Sequence, residues 1–184
     1  MDSVVALDEA LTDLVRLVSA VGDDWDAPTP CPAWSVGDVL DHVLAVTDKF
    51  TRFAAGRTDA PRGRRVPIVD RRIALDAVVA ASRAAWTDVD LRRICRLPFG
   101  DFPADRAAAI NAADVLVHTW DIARGAGVDY TMPPALVPDA LAVVTSLAAA
   151  DVDGEHYAPP PAEPHGRGAD ALLIASGRSP SWPG

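Results

Sequence analysis

The stretch NAADVLVHTWDIARGAG, residues 111–127, decides how this chain is read. Without its polar residues it is a buried-looking helix of Ala, Val, Leu, Trp and Ile. Yet it carries Asn111, Asp114, His118 and Asp121, spaced three, four and three apart. At about 100° per residue these four side chains fall within an arc of roughly 80°, a single stripe down the helix. The stripe is either the only wet face of the helix or a set of groups aimed inward. Ile110 and Val117 flank it on one side and Val115 and Ile122 on the other. Pattern alone does not choose between the two readings.

The surrounding sequence limits what the helix can belong to. The chain has 184 residues, enough for one domain with its own core, and 49% of them are hydrophobic, which excludes a disordered chain. No run of eighteen or more apolar residues is present, so no membrane span is expected. The start, MDSVVALDEALTDLV, has acids where a secretory signal has basic residues, so a cytoplasmic location is expected. A net charge of −9 without a compensating basic run argues against nucleic acid as a partner. Cys31 and Cys95 fit no CxxC spacing and are read as two reduced, partly buried thiols.

Apolar periodicity places four long helices around the opening stretch. The first spans residues 3–21 on Leu7, Leu11, Leu14 and Val18, with Ser3 as its cap and Gly22 as its stop. The second starts at Ser35, where SVGD resembles a capping box, and runs to Gly56 with Val39, Val43, Val46, Phe50 and Phe53 on one face. The third covers residues 70–86 and the fourth residues 104–124, closed by Gly125 and Gly127. Between these two, LPFGDFP breaks the helical pattern as a hairpin or ordered loop. A shorter helix occupies residues 134–150. Residues 151–184 form a Pro-rich tail that packs on the bundle and contains a last helical piece, ADALLIASG. Helices with short connections and no alternating strands describe an all-α four-helix bundle occupying residues 1–184 as a single domain.

Few residues here can carry chemistry. Of four histidines, His156 and His165 lie in the Pro-rich tail and are read as solvated. His42 borders the interior face of the second helix. Asp114 and His118, at i and i+4, stand one above the other about 5–6 Å apart at Cβ, so both can reach one ion. Imidazole and carboxylate together suit zinc, with nickel, iron or manganese also compatible. Trp34 and Trp120 are read as core anchors, and Asn111 as a cavity-lining or capping group. The basic loop at residues 57–65 is a candidate mouth for an anionic substrate.

Four segments, TPCPAWSVGDVLDHVL, LPFGDFP, AADVLVHTWDIARGAG and LLIASGRSPSW, together resemble the DinB-like superfamily. The likeness is to its actinobacterial branch related to the N-terminal domain of mycothiol-dependent maleylpyruvate isomerase, and it runs from Asp8 to Trp182. It implies a four-helix bundle holding one divalent metal through His42, Asp114 and His118. In the isomerase the first residue of the later pair is a glutamate, and in many DinB-like proteins a histidine; Asp114 is a shorter carboxylate. The stripe would then point inward. Asp121 could accept an imidazole N–H behind the ligands, or meet water or Arg124 near the helix end.

The resemblance also implies mycothiol as cosubstrate, activated at an open metal position and added to a small electrophile by an S-transferase or isomerase. The isomerase has a second domain after its bundle. Residues past Ala150 are too few to replace it, so S-transfer is expected ahead of maleylpyruvate isomerisation. The alternative is a non-enzymatic metal-binding or stress-related bundle with a structural or vestigial site. Oligomeric state, including a homodimer, is left open by the sequence.

Overall fold

Three of the long helices begin where a short acidic or hydroxyl side chain can accept the N–H groups that a first turn leaves unpaired. The computed structural model describes residues 1–57, 70–97, 100–150 and 166–183. Helix α1 (Ser3–Ala20) is capped by Asp2, which accepts from the Val4 and Val5 amides. Ser3, expected as the cap, is the first helical residue instead, and its hydroxyl donates to Asp105. Helix α2 (Val36–Ala54) has the capping box expected of it: Ser35 accepts from the Asp38 amide, and Asp38 accepts from the Ser35 amide. Helix α3 (Arg71–Trp86) is capped by Asp70 and tied to α2 by Arg71, whose Nε and Nη2 donate to Asp41 at 2.9 and 3.0 Å.

The hairpin expected around LPFGDFP is present as β1 (Ile94–Leu97) paired antiparallel with β2 (Gly100–Pro103), in the register Cys95 to Phe102. It turns Cys95 and Leu97 inward. It also starts α4 (Ala104–Gly125), whose N-cap is Pro103 with no side-chain cap. In place of a cap, the chain before β1 accepts from the first α4 amides: Ala104 N–H donates to Arg93 at 2.7 Å and Asp105 N–H to Leu91 at 3.0 Å. Helix α5 (Val137–Ala150) and the short α6 (Ala169–Ala175) complete the order. The expected start of α5 at residue 134 is a turn, closed by Leu136 N–H on the Pro133 carbonyl, and the helix begins one residue before Pro138, where a missing N–H costs nothing.

The result is mainly helical, as expected. Helix α4 packs against α1, α2 and α5; α3 lies on α1 and α2, and α6 on α5. Leu7, Leu11, Leu14 and Val18 of α1 are each at most 1% exposed, and burial of each contributes about 2 kcal/mol relative to exposure. Among the described residues no helix is long and apolar enough to cross a membrane. His156 and His165, and the basic loop beyond Arg57, lie outside the described residues.

The segment between α1 and α2 is held in shape by Thr29. The Thr29 amide and hydroxyl donate to the Trp34 carbonyl at 3.2 and 2.9 Å, and its hydroxyl accepts from the Cys31 amide. Ala33 sits at φ 64°, a left-handed conformation that costs an L-residue about 1–2 kcal/mol. Gly125, expected as a helix terminator, is the last residue inside α4; Gly127, at φ 64°, makes the reversal. Gly125 is there for contact. A Cβ on it would stand 2.7 Å from the Pro28 carbonyl oxygen and 2.8 Å from Val36 Cγ2. In an open helix, Gly125→Ala would gain up to about 1 kcal/mol from propensity. Here overpacking of about 1–3 kcal/mol should outweigh that gain. Urea denaturation should therefore show a net loss of stability, and a stabilised variant would contradict the close packing of α4 on this segment.

Candidate metal centre

The polar stripe of α4 points inward. Asn111 and Asp121 are fully buried and His118 is 8% exposed. Asp114 keeps about a quarter of its side chain accessible, but its Oδ2 is enclosed and has no hydrogen-bond partner among the described residues. Helix α2 brings His42 to the same point. His42 Nε2 lies 3.5 Å and His118 Nε2 3.7 Å from Asp114 Oδ1, and one ligand-type atom from each residue lies within 4.8 Å of the others. The imidazole centroids are 4.8 Å apart.

These separations fit an ion. Ligand bonds of about 2.0–2.2 Å at tetrahedral angles set donor atoms roughly 3.4 Å apart, longer than a hydrogen bond of about 2.9 Å. The two separations from Asp114 Oδ1, 3.5 and 3.7 Å, are close to that spacing, and the third stays within 4.8 Å. The cluster therefore has the chemistry and the spacing to hold a divalent cation, and the orphaned Asp114 Oδ2 adds a further acceptor. Burial works against the charge on Asp114, yet His118, His42 and Arg178 together hold its carboxyl below the usual carboxylate range. The carboxylate form is present at neutral pH.

Behind His118 stands Asp121. Its Oδ2 is 2.9 Å from His118 Nδ1 and accepts from Arg178 Nη2, also at 2.9 Å; Arg178 Nε lies 3.4 Å from its Oδ1. A carboxylate acceptor on Nδ1 selects the tautomer with the proton there, leaving a lone pair on Nε2, the atom that faces Asp114 and His42. Asp121 therefore meets His118 at hydrogen-bond distance and is not left to water near the helix end. Its cationic partner is Arg178, not Arg124, which donates to the Trp182 carbonyl instead.

Sequence reasoning misses Arg178, although it stands in the LLIASGRSPSW segment. A guanidinium there becomes meaningful only once the chain after α6 reaches α4. Cys31, legible in sequence only as a thiol, has its Sγ 3.8 Å from Arg178 Nη2 and lines the cavity beside the cluster. Both Cys31 and Cys95 are free. Trp34, expected in the core, is a wall of the site: its ring is 4.9 Å from that of His42 and stacks 6.1 Å from that of His118. Trp120 is a core anchor as expected, 8% exposed. Asn111 neither caps α4 nor lines the cavity, and its amide has no hydrogen-bond partner among the described residues.

The cluster opens into a cavity of about 420 Å³. Beyond the polar end its walls are mainly apolar, with Phe50 from α2, Leu97 from β1, Ile110 and Val117 from α4, and Leu147 from α5.

Comparison with known proteins agrees with this architecture. Residues 6–123 match the family described as the mycothiol maleylpyruvate isomerase N-terminal domain. An uncharacterized protein of Mycobacterium tuberculosis, found in strains CDC 1551 and H37Rv, is 28% identical over 156 residues, which cover 80% of each chain. The fold is similar to the crystal structure of the mycothiol-dependent maleylpyruvate isomerase, with a TM-score of 0.61 at 13% identity over 79% of this chain and 71% of that one. A histidine-to-alanine mutant of that isomerase superposes with a TM-score of 0.59 at 14% identity, over 79% of this chain and 68% of the other. Since the family match spans well over half of the sequence, the chain belongs to the mycothiol maleylpyruvate isomerase N-terminal domain family.

Proposed function

We propose that this protein is a metal- and mycothiol-dependent S-transferase or isomerase, with His42, Asp114 and His118 as ligands of one divalent ion, zinc ahead of nickel, iron or manganese. One observation carries the reading: three side chains of the metal-ligating type converge at the polar end of a cavity whose volume lies in the small-molecule range. A structural ion is normally closed off by four protein ligands, whereas three leave a position beside the cavity. A divalent ion bound there would stabilise the thiolate of a thiol whose free pKa is about 8.5.

The chain's own groups account for the remaining requirements. Asp121 holds the Nδ1 proton of His118 and so keeps Nε2 available, while Arg178 keeps Asp121 in place. Trp34 lies against both imidazoles, and Phe50, Leu97 and Leu147 keep the cavity apolar, which disfavours water as a competing nucleophile. The thiolate sulfur bonds to an electrophilic carbon as its π bond opens, and the neighbouring carbon takes a proton from solvent; the product is a conjugate. If, after rotation and before protonation, the electron pair re-forms the π bond and the C–S bond breaks, the thiolate leaves and the outcome is cis–trans isomerisation. No protein nucleophile is needed. Burial raises the Cys31 thiol above its ordinary pKa despite the nearby Arg178, with Asp121 and Asp114 acting in the same direction as burial. In this reading Cys31 serves as a wall of the site.

Two sets of measurements test the proposal. In elemental analysis of untagged protein, His42→Ala and His118→Ala should abolish stoichiometric metal, and Asp114→Ala should weaken its binding strongly. Unchanged metal content in all three variants rejects the ligand assignment. Asp121→Asn should lower metal affinity about 10–100-fold through the orientation of His118. Arg178→Met should cost about 3 kcal/mol of stability, because it leaves the Asp121 carboxylate buried with one partner removed. For the thiol, cobalt-substituted protein titrated with mycothiol should develop a sulfur-to-metal charge-transfer band. If neither mycothiol nor any other cellular thiol perturbs the spectrum, a non-enzymatic metal-binding role replaces the transferase.

A further inference from the structure

Lys49 is the only lysine among seventeen basic residues, and it lines the cavity. It stands seven residues after His42 on α2, which puts both on one face of the helix about 10 Å apart along its axis. Val46 lies between them along the helix, and Phe50 on α2, with Ile110 and Val117 on α4, adds apolar lining to the same cavity. Half-buried there, Lys49 has no ion-pair or hydrogen-bond partner among the described residues. The adjacent carboxylate, Asp48, accepts from Arg52 Nε at 2.8 Å. Among the described residues the other permanent cation lining the cavity, Arg178, is paired with Asp121. Burial lowers the Lys49 pKa from its ordinary value, as expected for an ammonium short of both water and counter-charge.

A cation in that state is costly in the empty cavity and favourable once an anion enters. The need is sharpened by the net charge of −9, which repels anions at long range, so a local cation must hold one. We propose that Lys49 is the anion anchor of the cavity, and that the electrophile is an amphipathic acid whose apolar body separates a carboxylate-like end from the reacting carbon. The apolar lining of the cavity that holds both Lys49 and the His42–Asp114–His118 cluster accommodates the body. The identity of the electrophile rests on the reading of the cluster as a thiol-activating site; anion binding at Lys49 does not. The competing account is a lysine whose alkyl stem merely covers apolar surface while its ammonium reaches water.

The test is equilibrium binding, with no thiol and no turnover. The protein as purified is titrated with 4-phenylbutyrate and with its neutral amide, monitored by tryptophan fluorescence, since Trp34 lines the cavity. Wild type should bind the acid at least tenfold more tightly than the amide. Lys49→Met should remove that preference while leaving the amide affinity within twofold, which also shows that the cavity is intact. Lys49→Arg should retain most of the preference. Equal binding of both probes to wild type, or binding of neither, overturns the proposal. So does a preference that survives in Lys49→Met, since the carboxylate is then held by the metal ligands' end or by Arg178. Loss of mycothiol chemistry with a Lys49-dependent preference intact would overturn the transferase reading and leave the anchor in place.

Discussion

The carboxylate of Asp121 has no exposed surface, and a buried charge of that kind survives only when partners offset its desolvation. Two groups do so from different parts of the chain. His118, one turn earlier on the same helix, offers Nδ1, and Arg178, 57 residues later, offers its guanidinium. The first fixes the imidazole so that its other nitrogen faces the cluster. The second draws the segment after α6 onto α4 and brings Ser176 and Arg178 to the cavity wall. Orientation of a candidate ligand and closure of the cavity thus depend on a single buried ion pair.

Helix α4 can carry this arrangement because most of its other residues are small or apolar. Ala104, Ala107, Ala108, Ala113 and Ala123 are at most 3% exposed and let α1 and α2 approach closely. Where Ala113 on α4 and Ala175 on α6 face the cavity, small side chains leave volume unfilled. Interiors are otherwise close-packed, and an unfilled volume costs stability, so a cavity beside convergent polar groups is a place where packing has been given up. The strained Ala33 points the same way: its left-handed turn lies between the two side chains that the α1–α2 segment contributes, Cys31 and Trp34.

Much of the helical framework is legible in the sequence because it is local. Spacings of three and four, the Ser35–Asp38 box and the hairpin signal in LPFGDFP depend on neighbours within a few residues. The misreadings are non-local. Asp2 and Ser3 are both competent caps, and what draws the Ser3 hydroxyl away is Asp105 on another helix. Trp34 reads as a core residue because an isolated aromatic carries no direction. Gly125 reads as a terminator because only the approach of Pro28 and Val36 shows what its missing side chain is for. Asp114 with His118 is legible from one-turn spacing; His42 enters through family resemblance alone, since a single histidine on α2 has no partner in sequence.

The sequence by itself determined the helices, their order and the fact that α4 carries its polar groups on one stripe. Helical periodicity fixes the angles between side chains on one helix but not which neighbour that helix turns them toward. Only the tertiary structure decided that the stripe faces inward, because an inward-facing carboxylate and imidazole require partners that α2, the α1–α2 segment and the chain after α6 supply from far away in sequence. Those partners also settled which cation meets Asp121. Arg124, three residues along, was the local candidate; Arg178 has the place because the fold brings it within 2.9 Å.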